Sequence, residues 1–191
     1  MFPRTYTNID KKTFLETNIS NKACIVFYTD SKYENDYEKY PDHYFPNIRN
    51  KAINESKDYL FIKAEDVGLN WGHENTPAME QLGRIVSFLA KNKDNEILSV
   101  CDAGIARSGF VTFLLDVYNR SLPYLELFTG YEDNDFAFRP VNSATRNYFT
   151  CEGFTRLLFD SRYLDKEDIS YIKSKITNIE KGKEPEEFIW D

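Results

Sequence analysis

Residues 96–119 constrain this chain more than any other stretch. A short β-rich run, Glu96 to Val100 (EILSV), passes through a tight glycine-containing segment into Ser108 to Asn119 (SGFVTFLLDVYN), a predicted helix that is apolar on most sides. A helix with so little polar face belongs in the interior of a layered fold. Upstream, Asp58 to Ala64 (DYLFIKA) is a second strand candidate, and Thr76-Pro77 supplies a helix start, with Thr as N-cap and Pro at the first helical position. Met79, Leu82, Val86 and Leu89 then form one apolar stripe. Strand, helix and strand between residues 58 and 100 make a βαβ crossover, which sets the two strands parallel with their C-terminal ends on one edge.

Ala23 to Tyr28 (ACIVFY) is a continuous apolar run, the pattern of a strand covered on both faces. The predicted class is therefore α/β, a short, mainly parallel central sheet flanked by helices, with ligands bound at the carboxyl edge of the strands. Ser31 to Lys57 reads as loop with short helix, Tyr124 to Asn142 as irregular and Ser143 to Phe159 as helical. Ile169, Ile172, Ile176 and Ile179 predict an amphipathic C-terminal helix over 165–181, followed by a short acidic tail. At 191 residues the expectation is one domain, residues 1–191, with that helix and tail as an appendage.

Charge and composition narrow the function classes. The net charge of -7 removes the basic footprint expected of a nucleic-acid binder, so no nucleic-acid partner is predicted. Met1 to Asp10 has no apolar leader core, and no run approaches the length needed to cross a bilayer, so a cytoplasmic chain without a membrane partner is expected. Cys24, Cys101 and Cys151 are odd in number and widely spaced, against a disulfide framework. His43 and His73 are the only histidines; His73-Glu74 lacks the second His of a helical zinc site, and no metal or cofactor is expected.

The chemistry lies in Cys101-Asp102-Ala103-Gly104-Ile105-Ala106-Arg107-Ser108. A tight loop entering a helix N-terminus turns successive backbone N–H groups inward at the positive end of the helix dipole, which makes an anion cradle. The backbone of Asp102, Ala103, Gly104, Ile105 and Ala106 would line it, with Gly104 supplying the freedom to close. Arg107 offers two parallel N–H donors to a phosphate. Cys101 then sits beneath the phosphorus, where the helix terminus and the neighbouring cation favour a nucleophilic thiolate. Attack on phosphorus would give a thiophosphate ester that water hydrolyses.

This segment resembles the phosphate-binding loop of the cysteine-dependent protein tyrosine phosphatase superfamily, nearest its compact dual-specificity members. The resemblance covers roughly residues 58–119. It implies Cys101 as nucleophile, Arg107 as phosphate clamp and Ser108 as the hydroxyl that stabilises the departing thiolate. It also implies a proton-donating Asp on a mobile loop after the preceding strand. Asp66 fits that place, with Glu65 and Glu74 as alternatives and Gly68 to Gly72 as a lid. The family's His before the cysteine is Val100 here, which keeps a phosphate-reading pseudoenzyme open beside a hydrolase. Rhodanese-like sulfur transfer is disfavoured because Arg107-Ser108 suits a phosphate dianion better.

The expected partner is a phosphorylated protein, through phosphotyrosine or phosphoserine/threonine, with a small phosphoester metabolite or nucleotide second. The acidic Asp102 is expected to disfavour polyanions. Tyr33, Tyr37, Tyr40 and Tyr44 are either a wall for an aromatic phosphoester or packing. Glu132, Asp133 and Asp135 lack the pattern of a calcium loop and read as solvated. Arg139 either contacts substrate or stabilises a carboxylate, and Cys24 and Cys151 are expected to be buried structural thiols.

Overall fold

The chain opens with strand β1 (Tyr6–Asp10), which runs directly into helix α1 (Lys11–Glu16) with Asp10 as its N-cap. Strand β2 (Lys22–Tyr28), helix α2 (Lys32–Asn35), a single 3-10 turn (Pro41–His43) and helix α3 (Phe45–Glu55) follow. Next come strand β3 (Asp58–Lys63), helix α4 (Met79–Lys91), strand β4 (Glu96–Cys101) and helix α5 (Ala106–Tyr118). These elements belong to a computed structural model that describes residues 1–29, 31–65, 76–129, 136–141 and 148–180. The four strands form one sheet in the order β1-β4-β2-β3, every pair parallel. The predicted class holds, and β3 and β4 are parallel as the crossover required, with β2 lying between them.

Alternation along the central strands sorts the core into two faces. Ala23, Ile25, Phe27 and Ile97 pack with α4 and α5, while Cys24, Val26, Leu98 and Val100 pack with Phe14 of α1 and Ile48 and Ala52 of α3. Both faces of β2 are thus covered, which is why its sequence is a continuous apolar run. Burial pushes the Cys24 thiol up to about 12, with a Ser56 hydrogen bond and nearby lysines opposing it only in part. Native-state alkylation near neutral pH, read by peptide mass spectrometry, is therefore expected to spare Cys24 until the protein is unfolded; labelling of Cys24 in the folded protein would contradict this packing.

A second sheet covers the far side of α5. Strands β5 (Tyr124–Thr129) and β6 (Phe136–Val141) are antiparallel, and β7 (Ile176–Glu180) adds to β5 in parallel, giving the order β6-β5-β7. Helices α6 (Glu152–Phe159) and α7 (Lys166–Lys173) complete that layer. Phe113 of α5 stacks on Phe138 of β6 with ring centroids 5.3 Å apart, and Phe110 stacks on Phe154 of α6 at 5.2 Å. Every residue of α5 from Arg107 to Val117 is buried. This explains a helix apolar on most sides, since it is packed between two layers.

Several expectations are corrected. Tyr124 to Asn142 contains a β-pair rather than irregular chain, because Leu125, Leu127 and Phe138 gain an apolar face against α5. The C-terminal helix stops at Lys173, and Ile176 and Ile179 belong to β7, where pairing with β5 overrides their helical spacing. Ser31 to Lys57 holds three helical elements, α2, the 3-10 turn and α3. The helix after residue 76 begins at Met79 with Ala78 as N-cap, and the Gln81 side chain accepts from the Ala78 N–H at 2.8 Å in place of a Thr76 cap. Of the helix expected over 143–159, α6 supplies residues 152–159, and 142–147 lie outside the described residues. No helix among the described residues is long and apolar enough to cross a membrane.

Candidate active site

Cys101 is the last residue of β4, which lies between β1 and β2. Its side chain shares the α5 face of the strand with Ile97, whereas Val100 points the other way into the apolar cluster around Phe14 and Leu98. The residue before the cysteine is therefore a fully buried valine. The Cys101 Sγ is 3.1 Å from the Ser108 Oγ at the start of α5, and both residues are buried. Ser99 Oγ donates to the Ser108 carbonyl at 2.9 Å, which ties the strand to that first turn.

The loop between them is a tight turn held from three sides. The Gly104 N–H donates to the Cys101 carbonyl at 3.3 Å, and Gly104 has φ 67°, a left-handed conformation that favours glycine. A Cβ there would lie 2.5 Å from the Asp10 nitrogen and 2.6 Å from the Ile9 carbonyl carbon, so the loop sits directly on the backbone of β1. Asn8 of β1 donates its side-chain N–H to the Gly104 carbonyl at 2.5 Å and accepts from Thr112 of α5 at 3.1 Å. Phe149 and Cys151 donate backbone N–H groups to the carbonyls of Ile105 and Ala106 at 3.3 and 3.2 Å. Outward carbonyls are thus taken up by neighbours, and the N-cap of α5 is Ile105, whose side chain cannot cap the helix amides. That is the arrangement an anion cradle needs.

Arg107 is 5% exposed and anchored at both ends of its guanidinium. Nη1 donates to the Ala64 carbonyl just beyond β3 at 2.9 Å, and Nη2 donates to Asp102 Oδ2 at 2.7 Å. A guanidinium is planar, so these two contacts at its two ends fix the orientation of that plane. Asp102 is more than a backbone contributor to the loop. Its Oδ1 lies 2.6 Å from Lys11 Nζ and 3.7 Å from His43 Nδ1. Burial alone would raise this carboxyl, but Lys11 and Arg107 outweigh it and hold the pKa at about 2. Lys11 and Arg107 thus flank the Asp102 carboxylate on its two oxygens.

Other candidates fall out as follows. Glu65 directly follows Ala64 and is half-buried, while Asp66, Glu74 and the lid over 68–72 lie outside the described residues. So do Glu132, Asp133 and Asp135. Arg139 pairs with Glu126 and lies over the Phe128 ring at 4.3 Å, so it stabilises a carboxylate. Tyr37 and Tyr44 meet edge to face at 5.3 Å, and Tyr37 is 55% exposed. Cys24 and Cys151 are buried, as expected. Missed entirely were Asn8, Lys11, Glu34 and His43. Nothing in the sequence distinguishes Lys11 from its exposed neighbour Lys12; only the β1–β4 register places it behind the loop.

No protein-family model matches the chain, and no curated protein matches it. Among solved structures, it is similar to the crystal structure of a mutant form of Tk-PTP, at 15% identity and a TM-score of 0.40 over 91% of each chain. It is also similar to the PTP-2 phosphatase of Cydia pomonella, at 14% identity and a TM-score of 0.40 over 92% of this chain and 91% of the other.

Proposed function

We propose that the protein hydrolyses phosphate monoesters through a cysteinyl-phosphate on Cys101, with phosphotyrosine or phosphoserine/threonine in protein as first-choice substrates. The observation that carries this reading is the Cys101–Ser108 contact of 3.1 Å at the mouth of an α5 N-terminus that has no side-chain cap, with Arg107 in the same loop. In the first step the Cys101 sulfur bonds to phosphorus as the ester P–O bond breaks, and the leaving oxygen takes a proton from an acid, assigned to Asp66. Water then bonds to phosphorus as the S–P bond breaks, its proton passing to the carboxylate that the first step left on Asp66, and Ser108 donates a hydrogen bond to the departing sulfur. Loop amides and Arg107 hold the equatorial oxygens throughout.

The absence of Lys or Arg between Cys101 and Arg107 supports a singly phosphorylated substrate, with a small phosphoester metabolite as the alternative. Acid-quenching the enzyme during turnover of an aryl phosphate is expected to leave one phosphoryl group on the Cys101 peptide by mass spectrometry. Steady turnover with the phosphoryl group on no cysteine would overturn the mechanism. Comparing phosphopeptides with nucleotides by kcat/KM decides the substrate class. The buried Val100 and the Asp102-bound guanidinium favour a second reading, a phosphate-reading module without turnover; tungstate binding without ester hydrolysis would establish it.

A further inference from the structure

Strand register brings a line of charges to one point behind the loop. Asp10 pairs with Cys101, so the residues that follow them, Lys11 and Asp102, leave adjacent strands side by side. Lys11 Nζ lies 2.6 Å from Asp102 Oδ1 and pairs on its other side with Glu34. Glu34 is fixed in turn, its Oε2 accepting from the Thr29 backbone N–H at 2.6 Å just past the end of β2. The line Glu34, Lys11, Asp102, Arg107 alternates in sign and ends on the guanidinium. The Lys11 and Glu34 side chains are 0% and 1% exposed. Desolvating such ions is expensive, and apolar residues of similar size would serve stability at least as well.

An acidic side chain next to the nucleophile would by itself oppose a phosphate dianion. Resting on the phosphate-site reading above, we propose that Asp102 and Lys11 are positioning residues for Arg107: Asp102 holds the guanidinium in its plane, and Lys11 cancels the charge that would otherwise repel the phosphate. Glu34 keeps Lys11 in place. His43 Nδ1 lies 3.7 Å from the same Asp102 oxygen as Lys11, on a side chain that is 37% exposed.

The test uses four proteins: the wild type, Asp102→Asn, the double variant Lys11→Met with Glu34→Gln, and the triple variant that adds Asp102→Asn. The double variant removes one charge of each sign, and thermal melts check that it folds. For each, kcat and KM are measured on an aryl phosphate and affinity is measured for tungstate. Asp102→Asn is expected to lower kcat about tenfold without raising KM, because the guanidinium is less firmly held while the site gains positive charge. The double variant is expected to raise KM and weaken tungstate about tenfold with kcat little changed, and the triple variant to recover that affinity.

A double variant that binds tungstate like the wild type, or a triple variant that binds no better than the double, overturns the proposal. If the double variant is unfolded at the assay temperature, Asp102→Asn decides alone, and unchanged kcat overturns it. A wild type that binds tungstate but hydrolyses no ester sinks only the hydrolase reading, and the order of tungstate affinities still decides this one. A wild type that binds no tungstate removes both.

Discussion

Cys101→Ser is expected to lower kcat on an aryl phosphate by about four orders of magnitude, equivalent to about 5.5 kcal/mol, while tungstate affinity stays within about threefold of wild type. The split follows from the division of labour in the loop. The cradle of the proposed site is backbone amide and Arg107, neither of which the substitution touches, whereas the nucleophile changes from a polarisable sulfur to a hydroxyl oxygen that is a far weaker one. The serine Oγ would still face Ser108, so the strand-to-helix junction keeps its shape. The measurement is a steady-state assay beside calorimetric titration with tungstate. Turnover that survives in the serine variant would exclude covalent catalysis at residue 101, and loss of anion binding in parallel would mean the side chain shapes the cradle.

Gly104→Ala is expected to be nearly as damaging by a different route. The residue sits at φ 67°, which costs an L-residue roughly 1–2 kcal/mol. The added methyl would also meet the Asp10 nitrogen at 2.5 Å and the Ile9 carbonyl carbon at 2.6 Å. Those are backbone atoms of β1 and cannot rotate away, so either the loop opens or β1 shifts against β4. A total destabilisation of about 2–4 kcal/mol is expected, seen as a fall in Tm of about 5–15 °C. Tungstate binding should be lost with it, because the same displacement moves the amides and Lys11. Gly83→Ala is the control, since its methyl would meet only the far end of the Tyr163 side chain at 2.9 Å, and a change of under about 1 kcal/mol is expected. A Gly104→Ala protein that melts and binds like wild type would show that the loop is not braced by β1.

What the sequence made legible was local or strongly periodic. The candidate loop is contiguous, so Cys101, Gly104, Arg107 and Ser108 could be picked out together by spacing alone. Strand β2 is apolar on both faces and helix α5 on most sides because both are buried between layers, and composition reports that directly. Strand β1 was invisible for the opposite reason. As an edge strand, Tyr6-Thr7-Asn8-Ile9-Asp10 carries polar residues that read as unstructured chain, and its partner is β4, far along the sequence. Strand β7 was masked because isoleucines three or four apart satisfy a helix as well as an edge strand paired to β5. The charge line behind the loop has no sequence signature, since Lys11 follows β1, Glu34 lies in α2, Asp102 follows β4 and Arg107 lies in α5, and they meet only in the folded chain.

The placement of β1 has a consequence for how the protein comes into being on the ribosome. The first strand to emerge has its partner in β4, with Tyr6 opposite Ile97, and must wait unpaired through the synthesis of β2, β3 and everything between. Because Ile9 and Asp10 brace Gly104 and Lys11 leads straight out of that strand, a nascent chain holds the whole phosphate loop before it holds the brace. Closure of this loop is therefore a late step, and a chain stalled with β1 undocked would carry Cys101, Arg107 and Ser108 and still lack the backbone against which Gly104 is seated.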